Sequence, residues 1–104
     1  MRQFDIVANP FARSRERQPL LVALQSDLMS RSLDTVVVAP LEAADTGQFA
    51  DRLNPNMIVE GKSYVLIAQE LVTVRKSVLG EPRGSLGHER DRIIAALDLL
   101  FTGF

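Results

Sequence analysis

Residues 86–104 read LGHERDRIIAALDLLFTGF, and this stretch decides the fold. Apolar side chains recur in it at steps of three and four residues, the spacing that places them on one face of an α-helix. That face consists of Leu86, Ile93, Ile94, Leu97, Leu100, Phe101 and Phe104, together with Arg90. We therefore predict an amphipathic helix over about residues 87–101, which packs this face on the rest of the chain.

Both ends of this helix carry ordinary signals. Glycine and proline interrupt the chain between residues 80 and 84, after which Ser85 or Gly87 can cap the first turn. Gly103 stands where a C-cap glycine is common. The opposite face of the helix suits water and carries Asp91, Arg92, Ala95, Asp98 and Thr102. Leu99 lies among these residues as an apolar exception.

The composition narrows the class of protein. A chain of 104 residues is expected to form a single domain with a modest core. Its formal net charge of −1 and pI of about 5.8 provide no positive field for holding nucleic acid. Cysteine is absent, which excludes disulfides and thiolate metal sites. No apolar run approaches the length that spans a bilayer, and the amino terminus lacks an apolar signal region. We expect a soluble cytoplasmic protein with no membrane partner.

The remainder of the chain predicts short strands. Residues 3–8 alternate in the manner of a half-buried strand, whereas residues 20–24 and 35–39 are apolar on both faces, and Pro40 ends the second of these runs. A short connection joins the two runs. Residues 41–53 predict mostly loop, because Thr46-Gly47 interrupts the short helix that Ala43, Ala44 and Phe49 could otherwise form.

A β-hairpin is predicted around Gly61, with arms 56–60 and 62–68. Residues 71–79 predict one further strand, kinked near Arg75-Lys76. Strands that follow one another without intervening helices favour a β-rich α+β fold, in which a small antiparallel sheet or barrel precedes a C-terminal helix.

The loop from Phe11 to Gln18 is rich in arginine. Arg13, Arg15 and Arg17 surround Glu16 there. Such residues are most often simply solvated, and the better functional interpretation is a partner rich in carboxylates.

No pattern for catalysis is strong. His88 is the only histidine, and it lies beside Glu89, where it can transfer protons or merely sit exposed in the first helical turn. Ser26-Asp27 lacks a base that would activate the serine, and is typical of a turn. With one histidine and no cysteine, the chain has too few of the usual ligands for a transition-metal site. The glycine spacing fits neither a phosphate-binding loop nor a dinucleotide-binding loop. We expect no catalytic residue, metal or cofactor.

Seven short strings, taken in order along nearly the whole chain, resemble one family. They are Gln3-Phe4, Gln25-Ser26-Asp27-Leu28, Val38-Ala39-Pro40-Leu41, Leu53-Asn54-Pro55, Ser77-Val78-Leu79-Gly80-Glu81, Leu86-Gly87-His88-Glu89-Arg90 and Phe101-Thr102-Gly103-Phe104. The chain resembles the CcdB toxins of bacterial toxin–antitoxin modules.

This resemblance implies an SH3-like antiparallel β-barrel over about residues 3–80 with a C-terminal helix, and a twofold homodimer. It also implies binding to the DNA gyrase A subunit, which traps gyrase on cleaved DNA and arrests growth. A CcdA-like antitoxin would neutralise the toxin, and the two together would repress their own operon. The toxin would reach operator DNA only indirectly, through its complex with the antitoxin.

Carried over by position, the residues implied to contact gyrase are Ser26, Leu28, Met29, Asp98, Thr102, Gly103 and Phe104. The family pattern has tryptophan where this chain has Thr102, and asparagine where it has Asp98. Large aromatic residues commonly anchor interfaces, so without the tryptophan three outcomes are open: weaker poisoning, a contact shifted to Leu99 and Phe104, or no poisoning. We offer Arg13, Arg15 and Arg17 as the antitoxin-binding residues.

Two alternatives stay open at this stage. The first is an endoribonuclease of the MazF or Kid type, which shares the barrel and could use His88. The second is a toxin homologue that has lost its activity and persists as a binding module.

Overall fold

The computed structural model describes residues 1–45, residue 47 and residues 49–104. Its strands are β1 (Asp5–Ala8), β2 (Leu20–Ala23), β3 (Thr35–Ala43), β4 (Asn56–Val59), β5 (Lys62–Leu66), β6 (Val72–Arg75) and β7 (Gly84–Ser85). Its helices are α1 (Asp27–Ser32) and α2 (Arg90–Thr102). Short 3₁₀ turns occupy Ala68–Glu70, Lys76–Val78 and Gly87–Glu89.

Within the described residues, the strands form one antiparallel sheet in the order β4-β5-β3-β2-β1-β7, and β6 also pairs with β3. This sheet curls into a nearly closed barrel with α2 at its end. The predicted class, a small antiparallel barrel with a C-terminal helix, is confirmed. None of the described helices is long and apolar enough to cross a bilayer.

The core has two parts because the central strands are buried on both faces. The larger cluster includes Leu41, Met57, Leu66, Leu86 and Ile93, against which Ile94 and Leu97 of α2 are half-buried. The smaller cluster lies on the other face of the sheet and consists of Val7, Leu21, Ala23, Val36, Val38 and Val74. The prediction that β2 is buried on both faces is confirmed, since all four of its residues are buried.

Strand β3 is longer than predicted, and Pro40 does not end it. The Pro40 carbonyl accepts a hydrogen bond from the Ile67 N–H at 2.9 Å, so its backbone faces the side where β6 stops and β5 begins. The missing N–H matters little there, because the carbonyl of Ile67, the residue opposite, accepts a hydrogen bond from the Glu70 N–H at 3.1 Å instead. Proline is therefore tolerated inside the central strand.

The first strand also differs from its prediction. It begins at Asp5, because Phe4 adopts a φ of +69°, outside the strand region. Its two central residues, Ile6 and Val7, are both buried, each in a different core cluster. The half-buried pattern predicted for residues 3–8 is therefore wrong.

Three local elements differ from the sequence predictions. The short connection predicted after Leu24 contains α1, and the interrupted stretch before α2 contains the two-residue strand β7. The strand predicted over residues 71–79 ends at Arg75, where a 3₁₀ turn replaces the predicted kink. The hairpin around Gly61 is present as β4 and β5, with Glu60 and Gly61 at positive φ in the turn. Thr46, one of the two residues predicted to interrupt a short helix after β3, lies outside the described residues.

Helix α2 begins later than expected and ends as expected. A 3₁₀ turn precedes it, and the Ser85 hydroxyl accepts a hydrogen bond from the Gly87 N–H at 3.0 Å rather than capping α2 itself. Gly103 has a φ of +85°, and its N–H donates to the Leu99 carbonyl at 3.0 Å. This is the left-handed glycine cap that the sequence predicts.

We expect Ile93→Ala to destabilise the fold by about 2–5 kcal/mol, because the Ile93 side chain is fully buried and its truncation leaves a cavity. The matched control is Ile58→Ala, since Ile58 is 58% exposed on β4, and we expect it to change stability by less than about 0.5 kcal/mol. Urea unfolding followed by circular dichroism measures both. Equal losses in the two variants would show that α2 does not depend on the barrel.

Candidate functional site

The last turn of α2 and the residues that follow it expose aromatic side chains to solvent. Phe101 is 69% exposed and Phe104 is 84% exposed, whereas Ile93 and Ala96 in the first half of the helix are buried. The prediction that the apolar face packs on the rest of the chain is therefore wrong at Phe101 and Phe104, whose side chains lie in solvent. We call Asp98, Phe101, Thr102, Gly103 and Phe104 the α2 end.

The polar residues of the α2 end are also exposed. The Thr102 hydroxyl donates a hydrogen bond to the Asp98 carbonyl at 2.6 Å, so it is engaged with its own helix. The Asp98 carboxylate makes no ion pair with a described residue. The surface thus combines two aromatic rings with one available carboxylate.

Helix α1 forms a second exposed group. The Ser26 hydroxyl accepts from the Met29 N–H at 3.3 Å, and Asp27 adds a negative charge to the first turn, which together explain why a helix starts here. Leu28 and Met29 are both exposed on this helix.

Two long-range contacts fix α1 on the barrel. The Gln3 N–H donates to the Asp27 carboxylate at 2.7 Å, and the Lys76 ammonium donates to the Ser30 carbonyl at 2.6 Å. The exposed side chains of α1 are therefore presented on a rigid support.

The structure brings the expected gyrase-contacting residues into two groups. Ser26, Leu28 and Met29 lie together on α1, and the four residues carried over near the carboxyl terminus lie together at the α2 end. Among the described residues, no hydrogen bond or ion pair joins the two groups. Their role in gyrase binding stays a prediction.

The arginine loop is closed at its base by one buried side chain. The Asn9 amide donates to the Gln18 carbonyl at 2.8 Å and to the Ser14 hydroxyl at 2.9 Å. The Asn9 side-chain oxygen accepts from the Phe11 N–H at 2.9 Å. Residues 11–17 are therefore held as a defined projection, consistent with the predicted loop.

The three arginines of this loop are not equivalent. Arg17 forms an ion pair of 3.1 Å with Glu42, whose side chain is only 4% exposed. Arg13 and Arg15 are exposed and make no ion pair with any residue that the structure describes. Only these two are simply solvated, as the sequence predicts for all three.

Sequence reasoning missed the buried polar cluster below this loop. The Gln18 amide donates to the Glu42 carboxylate at 2.8 Å and to the Glu70 carboxylate at 3.0 Å. A charged residue directly after the apolar run of β3 was the available signal, because a buried carboxylate requires partners.

The candidates for chemistry are placed apart. His88 is exposed in the 3₁₀ turn before α2 and has no hydrogen-bond partner among the described side chains. The Ser26 hydroxyl serves as a helix cap. No group of three or more potential metal ligands occurs among the described residues.

The fold is that of known toxins. An endoribonuclease from Mycobacterial species, solved in complex with its cognate antitoxin, superposes with a TM-score of 0.75 at 14% identity over 94% of this chain and 91% of that chain. The Mycobacterium tuberculosis toxin MazF-mt6 gives 0.71 at 17% identity over 96% of both chains. An Mtb toxin gives 0.66 at 18% identity over 81% and 92%. At these identities the likeness establishes the fold alone.

The sequence defines the family within this fold. A model of the CcdB protein matches residues 3–103, which is nearly the whole chain. The chain therefore belongs to the CcdB family, the toxins of toxin–antitoxin systems. Among curated proteins, none matches the chain in sequence. The resemblance stated from the seven short strings is confirmed.

We expect Arg17→Ala to lower stability by about 1 kcal/mol, because it removes the only cationic partner described for a buried carboxylate. The loss stays small because the Arg17 side chain is 71% exposed, so solvent screens its attraction to Glu42. Arg13→Ala is the matched control, and it should change stability by less than about 0.5 kcal/mol. Thermal unfolding of both variants at low and high salt measures the difference. Identical melting curves would show that the Arg17 pair contributes nothing to the fold.

Proposed function

We propose that this chain is the toxin that binds the DNA gyrase A subunit, traps the complex of gyrase with cleaved DNA, and so arrests growth. It does this by binding, without chemistry of its own. The observation that carries the proposal is the α2 end, where Phe101 is exposed in the last turn of a helix whose first half is anchored in the core, and Phe104 is exposed directly after the glycine cap of that helix.

Exposed aromatic side chains on a rigid helix are what a protein interface needs as anchors. Truncating such an anchor typically costs 2 kcal/mol or more of binding free energy, and rigidity reduces the entropy lost on binding. Phe101 and Phe104 supply aromatic area that Thr102 lacks. They thus offer a substitute for the tryptophan that the family pattern has at that position.

The remaining partners follow from the same proposal. The chain acts as a cytoplasmic homodimer, so that α1 and the α2 end of two copies can present a larger surface than one copy offers. A CcdA-like antitoxin neutralises it, with Arg13, Arg15 and Arg17 contributing to that contact, and operator DNA is reached only through the antitoxin complex.

The alternative is an endoribonuclease, which the fold of the mycobacterial relative favours. In such an enzyme His88 would be the proton-transfer group. Its exposed position and its lack of a described side-chain partner make it a poor general base, because a catalytic imidazole is normally oriented by a second group.

We expect purified protein to stabilise gyrase-cleaved DNA in the presence of ATP, so that linear DNA accumulates, and Phe104→Ala to reduce this by roughly tenfold or more because an interface anchor is lost. Ile58→Ala removes another exposed apolar side chain, 58% exposed against 84% for Phe104, and should leave the activity unchanged. An agarose-gel cleavage assay measures both.

Two results would contradict the proposal. One is the absence of linear DNA with a folded wild-type protein. The other is cleavage of purified RNA that His88→Ala abolishes, which would establish the endoribonuclease. Deletion of Gly103 and Phe104 should abolish poisoning and leave a folded dimer, as size-exclusion chromatography can show. A monomeric truncation would instead make these residues part of the dimer contact.

A further inference from the structure

Strand β6 has an open edge, and the hydrogen-bond register shows which of its backbone groups are free. The Leu24 N–H donates to the Val37 carbonyl at 2.8 Å, so the backbone of Val37 faces β2. Because N–H and C=O directions alternate along a strand, those of Val36 and Val38 face β6. Their register partners are Val74 and Val72.

It follows that the backbone groups of Thr73 and Arg75 point away from β3. Strand β6 pairs only with β3 in the described sheet, and no described residue bonds to the outward N–H and C=O of Thr73 or to the Arg75 N–H, whereas the Arg75 carbonyl begins the 3₁₀ turn Lys76–Val78. An edge of this kind is a ready template for another strand.

An apolar groove runs along the same edge. It has a volume of about 470 Å³ and is lined by Phe11, Ser14, Val72, Thr73, Val74, Arg75 and Val78. Phe11, Val72 and Val78 are large apolar residues left exposed there. A strand added to β6 would place alternate side chains over this groove.

The charge around the groove favours an acidic occupant. Arg75 is the only charged residue among those that line it, and it has no ion-pair partner among the described residues. Arg13 and Arg15 flank Ser14 in the loop that forms the other wall. A second copy of this chain fits less well, because symmetric pairing would set β6 against β6, and β6 contains no carboxylate.

We propose that an extended, acidic segment of a partner protein docks here as an additional antiparallel or parallel strand on β6, with apolar side chains in the groove and carboxylates near Arg75, Arg13 and Arg15. This inference rests on the acidic antitoxin of the proposed function, and it specifies the surface that such a segment occupies. It adds β6 and the Phe11 groove to the arginines expected from the sequence.

The test uses Thr73→Pro, which removes an outward N–H without touching the β3–β6 ladder, and Thr73→Val, which keeps that N–H. The probe is a fluorescein-labelled synthetic peptide of ten residues that alternates glutamate and valine. We expect Thr73→Pro to weaken peptide binding roughly fivefold or more, as the loss of a backbone hydrogen bond implies, and Thr73→Val to bind as wild type does. A peptide with lysine in place of glutamate should not bind.

Hydrogen exchange on the wild-type protein keeps the test decisive if Thr73→Pro folds poorly. The peptide should slow exchange at the Thr73 and Arg75 amides. Equal binding by both variants, or protection confined to another surface, would overturn the proposal. A change of oligomeric state in Thr73→Pro without an effect on peptide binding would assign the edge to a second copy and would also overturn it.

Gyrase cleavage separates this inference from the proposed function. We expect Thr73→Pro to stabilise cleaved DNA as wild type does, because β6 lies outside α1 and the α2 end. Peptide binding without gyrase poisoning by wild type would refute the proposed gyrase target and leave the β6 site standing. Gyrase poisoning by wild type without peptide binding would refute the β6 site and leave the proposed gyrase target standing.

Discussion

Strand β3 is the constraint on which the rest of the structure depends. One of its edges pairs with β2 in its middle, from Val38 to Leu41, and the other is shared in turn by β6 and β5. A single strand can hold three neighbours only if one of them ends where another begins, and Pro40 occupies that point. The barrel curvature, the two core clusters and the open edge of β6 all follow from this sharing.

The difference in burial along α2 determines which surface the α2 end presents. Its first half is held by Ile93 and Ala96 against the barrel, whereas its last turns extend past it. A fully docked helix would bury its aromatics and leave nothing to present. Partial docking instead gives the α2 end a fixed direction, because the helical hydrogen bonds and the Gly103 cap continue beyond the last buried residue.

Local patterns predicted the elements that their own residues determine. The hairpin around Gly61 and the Gly103 cap depend on short-range backbone preferences, and both were visible in the sequence. The continuation of β3 through Pro40 was not, since it depends on which strands approach from either side. The exposure of Phe101 and Phe104 was hidden for the same reason: periodicity shows which residues share a face, and only the size of the barrel shows how much of that face is covered. The ion pair of Arg17 likewise required knowing that Glu42 points inward beneath the loop. Family resemblance supplied the candidate site with Phe104 in it, and the geometry added the exposed ring of Phe101.

The anchoring of the arginine loop has a consequence for how this region can diverge. Asn9 holds the two ends of the loop together, and Arg17 and Gln18 both contact the buried Glu42 carboxylate. The number of residues between these positions is therefore fixed by the contacts at its two ends. Within that span the exposed residues Ala12, Arg13, Arg15 and Glu16 can change identity without disturbing the clamp, whereas Ser14 accepts a hydrogen bond from Asn9, and insertion or removal of a single residue would displace the anchors. Homologous chains should therefore vary in the chemistry of this loop while keeping its length.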